Sequence, residues 1–138
     1  MMRPNDIALF ILRLTAAVVI WPHGAQKALG LFGGYGLSGT VAAMSHMGIP
    51  VVLVYLVIAV EFLGPVALVL GVLTRLTALG IAIDMAVAAY TVHLPNGFFM
   101  NFAGNQKGEG VEFFIYAVGI SLALVIAGSG RIALLPKT

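Results

Sequence analysis

Four long apolar stretches, at about residues 6–29, 50–73, 75–94 and 110–127, dominate this 138-residue chain. At 1.5 Å of rise per helical residue, each is long enough to cross a hydrocarbon core of ~30 Å. Read as helices, the runs satisfy their own backbone hydrogen bonds inside lipid. The fold class expected is all-α, a four-helix transmembrane bundle. With 61% hydrophobic and 9% charged residues, too little polar surface remains to cover a soluble globule. The spans consume most of the chain, and a single four-span membrane domain over 1–138 is expected.

The same composition excludes several functions. There is no cysteine, which removes disulfides, thiol relays and thiolate ligands. Seven Lys and Arg residues are scattered and form no patch that could follow a phosphate backbone, so nucleic acid is not a partner. The first apolar run begins with a basic residue as a secretory leader would. Arg13 interrupts it, however, and Pro22-His23-Gly24-Ala25 is a poor cleavage site, so it reads as a retained span.

Asp6, following Pro4-Asn5, is the expected N-cap of the first span, and Pro22 is expected to kink it. A glycine-rich loop (Gly30, Gly33, Gly34, Gly36, Gly39) leads to a short amphipathic piece, Thr40–Met47. Pro50 opens the second span, Gly71–Arg75 turns it into the third, and Pro95-Asn96-Gly97 stops the third. Four spans place both termini and the central hairpin on one side with Arg3, Arg75, Arg131 and Lys137, against Lys27 and Lys107 on the other. The basic bias predicts cytoplasmic termini in a multi-pass protein of the bacterial inner membrane, and aromatic residues crowd the opposite, outer rim.

Three charges lie deep in the spans: Arg13, Glu61 and Asp84. Counting rise from the span ends places Glu61 and Asp84 in one layer, ~13 to 17 Å in, with Arg13 able to extend toward them. Charges at such depth are costly and mark functional sites by default, although an Arg–carboxylate cluster can also serve only helix register. One Arg cannot neutralise two carboxylates, so a proton or a ligand cation is expected to meet the surplus one. A second polar layer, within ~6 Å of the outer edge, holds His23, Lys27, His93 and Glu112, with Gln26 beside them. It reads either as an ordinary interfacial cluster or as a headgroup site in which His and Lys donate to quinone carbonyls. Axial imidazoles for haem or a metal are the lesser reading.

The ordered set Leu12-Arg13-Leu14, His23-Gly24-Ala25-Gln26-Lys27, Phe32-Gly33-Gly34-Tyr35-Gly36, Gly48-Ile49-Pro50, Glu61 with Gly64, Gly71-Val72-Leu73-Thr74-Arg75 and Gly128-Ser129-Gly130-Arg131 resembles the DoxX family of small bacterial membrane proteins. Glu112 matches a carboxylate that members often carry at the start of the fourth span. The resemblance covers essentially the whole chain. It implies a four-helix inner-membrane bundle and an association with quinone-linked oxidoreductase systems, as a subunit more than as a stand-alone enzyme.

The expectation is therefore an accessory subunit of a quinone-linked system, in contact with membrane lipids and a membrane or periplasmic redox partner. His23, Gln26, Lys27, His93 and Glu112 would bind a quinone-like headgroup near the periplasmic face, and Arg13, Glu61 and Asp84 would form the internal cluster. The alternatives are a carrier for a small lipophilic molecule, proton-linked through the same carboxylates, and a non-catalytic structural partner. Self-association is left open.

Overall fold

A computed structural model describes residues 1–138 and is helical throughout its ordered elements. Helix α1 spans Pro4–Leu29, α2 Gly36–His46, α3 Val51–Leu70, α4 Thr74–Ala88 and α5 Glu112–Ala127. The first three expected spans are present, the third including the irregular turns that carry α4 on to Asn96, and each is apolar and long enough to cross a membrane. The fourth is shorter than expected. Its 16 residues rise ~24 Å, because the preceding loop takes Gly110 and Val111 into its own bonds: their N–H groups donate to the carbonyls of Phe99 and Gly97 at 3.0 and 3.1 Å.

Two local expectations change. The N-cap of α1 is Arg3, Pro4 takes the first helical position, and Asp6 stands at the third. A proline needs no N–H there, so the helix starts three residues earlier than a cap at Asp6 would allow. Asp6 instead accepts the Arg3 N–H at 3.0 Å. At the far end of α4, Ala89–His93 form a π-helical turn and Leu94–Asn96 a 3-10 turn. Pro95 cannot donate to the carbonyl of Thr91, and widening the preceding turn accommodates that loss.

The long helices alternate in direction. α1 packs chiefly on α3 and α4 chiefly on α5, with α3 against α4 joining the two pairs, while the closing contact between α1 and α5 is slight. The core between them is small and apolar, built from Ala16, Ala17, Ile20, Leu68, Ala78, Ile81, Met85 and Leu124. Larger apolar side chains such as Val18, Leu56, Leu63, Ile83 and Ile126 point outward. The alanines of the core, Ala16, Ala17 and Ala78, allow the close backbone approach that drives helix association in lipid, and the outward apolar side chains suit lipid contact.

The C-terminal segment folds back over the end of the bundle that carries the termini. The N–H groups of Leu134 and Leu135 cap the last carbonyls of α3, Leu70 and Gly71, at 2.9 and 3.3 Å. The Arg131 N–H donates to the buried Asp6 carboxylate at 3.1 Å. Arg75 donates to the Val125 and Ile126 carbonyls, both at 2.9 Å, at the C-terminus of α5. Carbonyls that would otherwise be orphaned at two helix ends are thus satisfied.

Candidate functional site

The site begins at the crossing of α1 and α3. Pro65 has no N–H to offer the carbonyl four residues back, so the Glu61 carbonyl lacks its usual helical donor. Gly24 of α1 lies directly against that carbonyl, so closely that a β-carbon on Gly24 would overlap the Glu61 oxygen. The approach fixes which side chains can meet. Side chains on a helix lean toward its N-terminus, so Lys27, three residues beyond Gly24, reaches back along α1 to the level of Glu61. Its Nζ donates to Glu61 Oε2 in a charge-paired bond. The Glu61 side chain is 5% exposed and that of Lys27 26%, so the pair is sealed on the carboxylate side and open on the ammonium side.

Asp84 of α4 is partly buried on the helix that packs against α3. Its Oδ2 is buried and has no donor. The α3–α4 contact that places it is close: Gly64 stands opposite Thr77 and Gly80 opposite Val60, where an added β-carbon would come within 3.1 and 3.3 Å. Three helices thus contribute one ammonium and two carboxyl groups, which leaves the cluster one negative charge in excess unless a proton occupies it.

Arg13 does not belong to this cluster. It lies eleven residues before Gly24, ~16 Å along the axis, and the same lean toward the N-terminus carries its side chain away from the carboxylates. Fully buried, it donates through Nη2 to the Ile132 carbonyl of the C-terminal segment and lies 5.4 Å from the Phe10 ring centroid. Its guanidinium fills the space a Gly71 side chain would need. A cation there faces the negative end of the α3 dipole. Arg13 is a pin for the C-terminal segment.

The five residues of the expected outer site are dispersed by the structure. His23 is exposed beside the buried Gly24. Gln26 Nε2 donates to the Phe32 carbonyl at 3.2 Å, holding the glycine loop on the last turn of α1. Lys27 is taken by Glu61. His93 packs on Phe114, with ring centroids 4.3 Å apart, and its Nδ1 lies 2.9 Å from the Glu109 carbonyl. Glu112 accepts the Met100 N–H at 2.8 Å. The last two organise the 97–111 loop, and no three His, Asp or Glu side chains converge as a metal site would require. The pairing of Lys27 with Glu61 had two signals in the sequence: a proline four residues after Glu61, and a glycine three residues before Lys27.

An apolar cavity of about 280 Å³ opens in the α1–α5 seam, lined by Ala16, Val19, Ile20, Ile81, Phe113 and Tyr116 among others. Ile20 lies one turn from Gly24 and Ile81 less than one turn from Asp84, while Lys27, Glu61 and Asp84 themselves do not line the cavity. A shallower groove of about 590 Å³ continues along α5 past Gly119 to Phe98 and Glu112.

Fold and site together define a polytopic membrane protein with a polar cluster inside its bundle and a lipophilic seam beside it. The chain belongs to the DoxX family, whose model matches residues 8–94. It is 27% identical over 131 residues to a Bacillus subtilis (strain 168) protein named "Putative oxidoreductase CatD", a match covering 95% of this chain and 87% of that one. It is 29% identical over 135 residues to Escherichia coli (strain K12) "Inner membrane protein YqjF", covering 94% and 91%. No solved structure matches the chain. It is a multi-pass protein of the bacterial inner membrane.

Proposed function

We propose that this protein is a binding subunit of a quinone-linked oxidoreductase system, and that Lys27, Glu61 and Asp84 form its headgroup site. The observation that carries the reading is the Lys27–Glu61 pair, buried on its carboxylate side, together with the donorless Asp84 carboxyl oxygen on α4 and an apolar cavity in the same bundle. An intramembrane ion pair needs a compensating role to be retained. Quinone chemistry couples electrons to protons, and a carboxyl pair with a single cation can hold a proton at membrane depth. The cavity of about 280 Å³ is close to the lower end of the size range for small-molecule pockets, sufficient for a ring and part of its chain. The name of the Bacillus relative points in the same direction. The test is purification in native lipid, with mass spectrometry of the extracted lipophiles. A quinone-class ring at about one per chain is expected, and preparations free of any ring-bearing lipophile would refute the reading.

The termini are proposed to be cytoplasmic, which places the site toward the periplasmic face. Five cations and one carboxylate lie at the end with the termini, against two cations and four carboxylates in the rest of the chain. Reporters active only in the cytoplasm should work when fused after Thr138 and be silent in the 97–111 loop. The reverse pattern would invert the site to the cytoplasmic side.

A further inference from the structure

Helix α5 is too short for the layer it must cross, and the shortfall lies at one end. Its 16 residues rise ~24 Å against a hydrocarbon core of ~30 Å. At the C-terminal end the exposed Arg75 donates to the Val125 and Ile126 carbonyls, and a guanidinium at that point marks the headgroup boundary. The missing ~6 Å therefore falls at the Glu112 end, where the 97–111 loop takes over.

That loop turns its polar groups inward and its rings outward. Asn96 and Gln106 donate to the Glu109 and Phe99 carbonyls at 3.0 and 2.9 Å, and Asn101 Oδ1 accepts the Gln106 N–H at 3.0 Å. The Glu109 and Glu112 carboxylates accept the N–H groups of Asn101 and Met100. Such internal satisfaction lowers the cost of bringing irregular backbone up to the edge of an apolar layer. Phe98 and Phe99 are left 52% and 67% exposed and pack edge to face, with ring centroids 5.2 Å apart. Phe98 also lines the groove along α5 with Ile115, Tyr116 and Gly119, so the aromatic pair continues the outward apolar side of that helix. Asn105 and Lys107 form an exposed polar crest beyond it.

We propose that the Phe98–Phe99 flank of the 97–111 loop docks into the leaflet on its side of the membrane, with its backbone at the headgroup boundary and its rings in the upper acyl region. The two rings supply the apolar height that α5 lacks. The bilayer is favoured over a soluble protein as the occupant because the rings stand directly on the lipid-facing side of a helix that ends short. The inference is independent of what the Lys27–Glu61 site binds and of which side of the membrane the loop faces.

The test uses the full chain reconstituted in phosphatidylcholine vesicles. Trp21 is the only tryptophan, so Trp21→Phe with Phe99→Trp places a single indole on the loop. Lipids brominated on the upper acyl carbons should quench it at least ~2-fold more than lipids brominated near the chain ends, and aqueous acrylamide should reach it poorly. An indole open to acrylamide and untouched by brominated lipid would overturn the proposal and leave the rings as a face for a soluble partner. Phe98→Ser with Phe99→Ser gives a second reading. It should lower the unfolding midpoint by ~5 °C or more in longer-chain bilayers, where α5 falls furthest short, and by less than half of that in shorter-chain ones. An equal loss in both would show that the rings serve only packing within the loop, and would refute the docking as well. The indole exchange conserves an aromatic ring, so its result stands even where the serine variant does not fold.

Discussion

Gly24→Val should be among the most damaging single substitutions in this chain, lowering stability by ~3 kcal/mol or more. Any β-carbon at position 24 overlaps the Glu61 carbonyl and the neighbouring backbone. Backbone cannot rotate aside as a flexible side chain can, so α1 and α3 must separate along their whole contact, the most extensive in the bundle. The effect should exceed that of ordinary overpacking because the separation also pulls Lys27 from Glu61. Gly119→Ala is the control. Nothing lies within 4 Å of a β-carbon there, and the change should be neutral or gain up to ~1 kcal/mol from helix propensity. Thermal unfolding in detergent compares the two, and a Gly24→Val protein as stable as the parent would show that the helices do not cross at this point.

The second large effect concerns the ion pair. Lys27→Met leaves two carboxyl groups facing each other without a cation and should cost ~2–3 kcal/mol. That is below the ~3–5 kcal/mol of a fully buried pair because the Lys27 side chain is 26% exposed. Glu61→Leu leaves the ammonium next to Asp84, which can take over part of the pairing, and should cost less. The double variant should recover most of the loss, since apolar replacement of a buried pair is often close to neutral. A double-mutant cycle should give a coupling of at least ~1.5 kcal/mol. Strict additivity would mean that the two residues do not interact. Arg13→Ala with Glu61→Gln, by contrast, should be additive, because the two side chains engage different partners.

The membrane fold was legible in the sequence because continuous apolar length is a strong signal. The positions of Pro50, Gly71 and Pro95 placed the span ends to within a few residues. Direction was the missing quantity. Counting rise along an axis gives height but says nothing about where a long side chain leads, and both misplaced residues of α1 follow from that omission. Arg13 and Lys27 each lean toward the helix N-terminus, so Arg13 leaves the mid-depth layer and Lys27 enters it. Pro65 four residues beyond Glu61 and Gly24 three before Lys27 together marked the crossing, yet neither is informative until the two helices are known to be neighbours. The role of the C-terminal segment was invisible for a related reason. Most of its contacts with the helices are made by backbone groups of Arg131, Ile132, Leu134 and Leu135, and backbone groups carry no sequence signature.

The most direct test of the account is to compare the lipophile carried by the parent protein with that carried by the Lys27→Met, Glu61→Leu double variant, both purified in native lipid. The double variant should fold, so any difference reports the site and not the bundle. The account predicts about one quinone-class ring per chain in the parent and at least a tenfold reduction in the variant. Equal occupancy in the two proteins would contradict it, as would a parent that carries no such molecule.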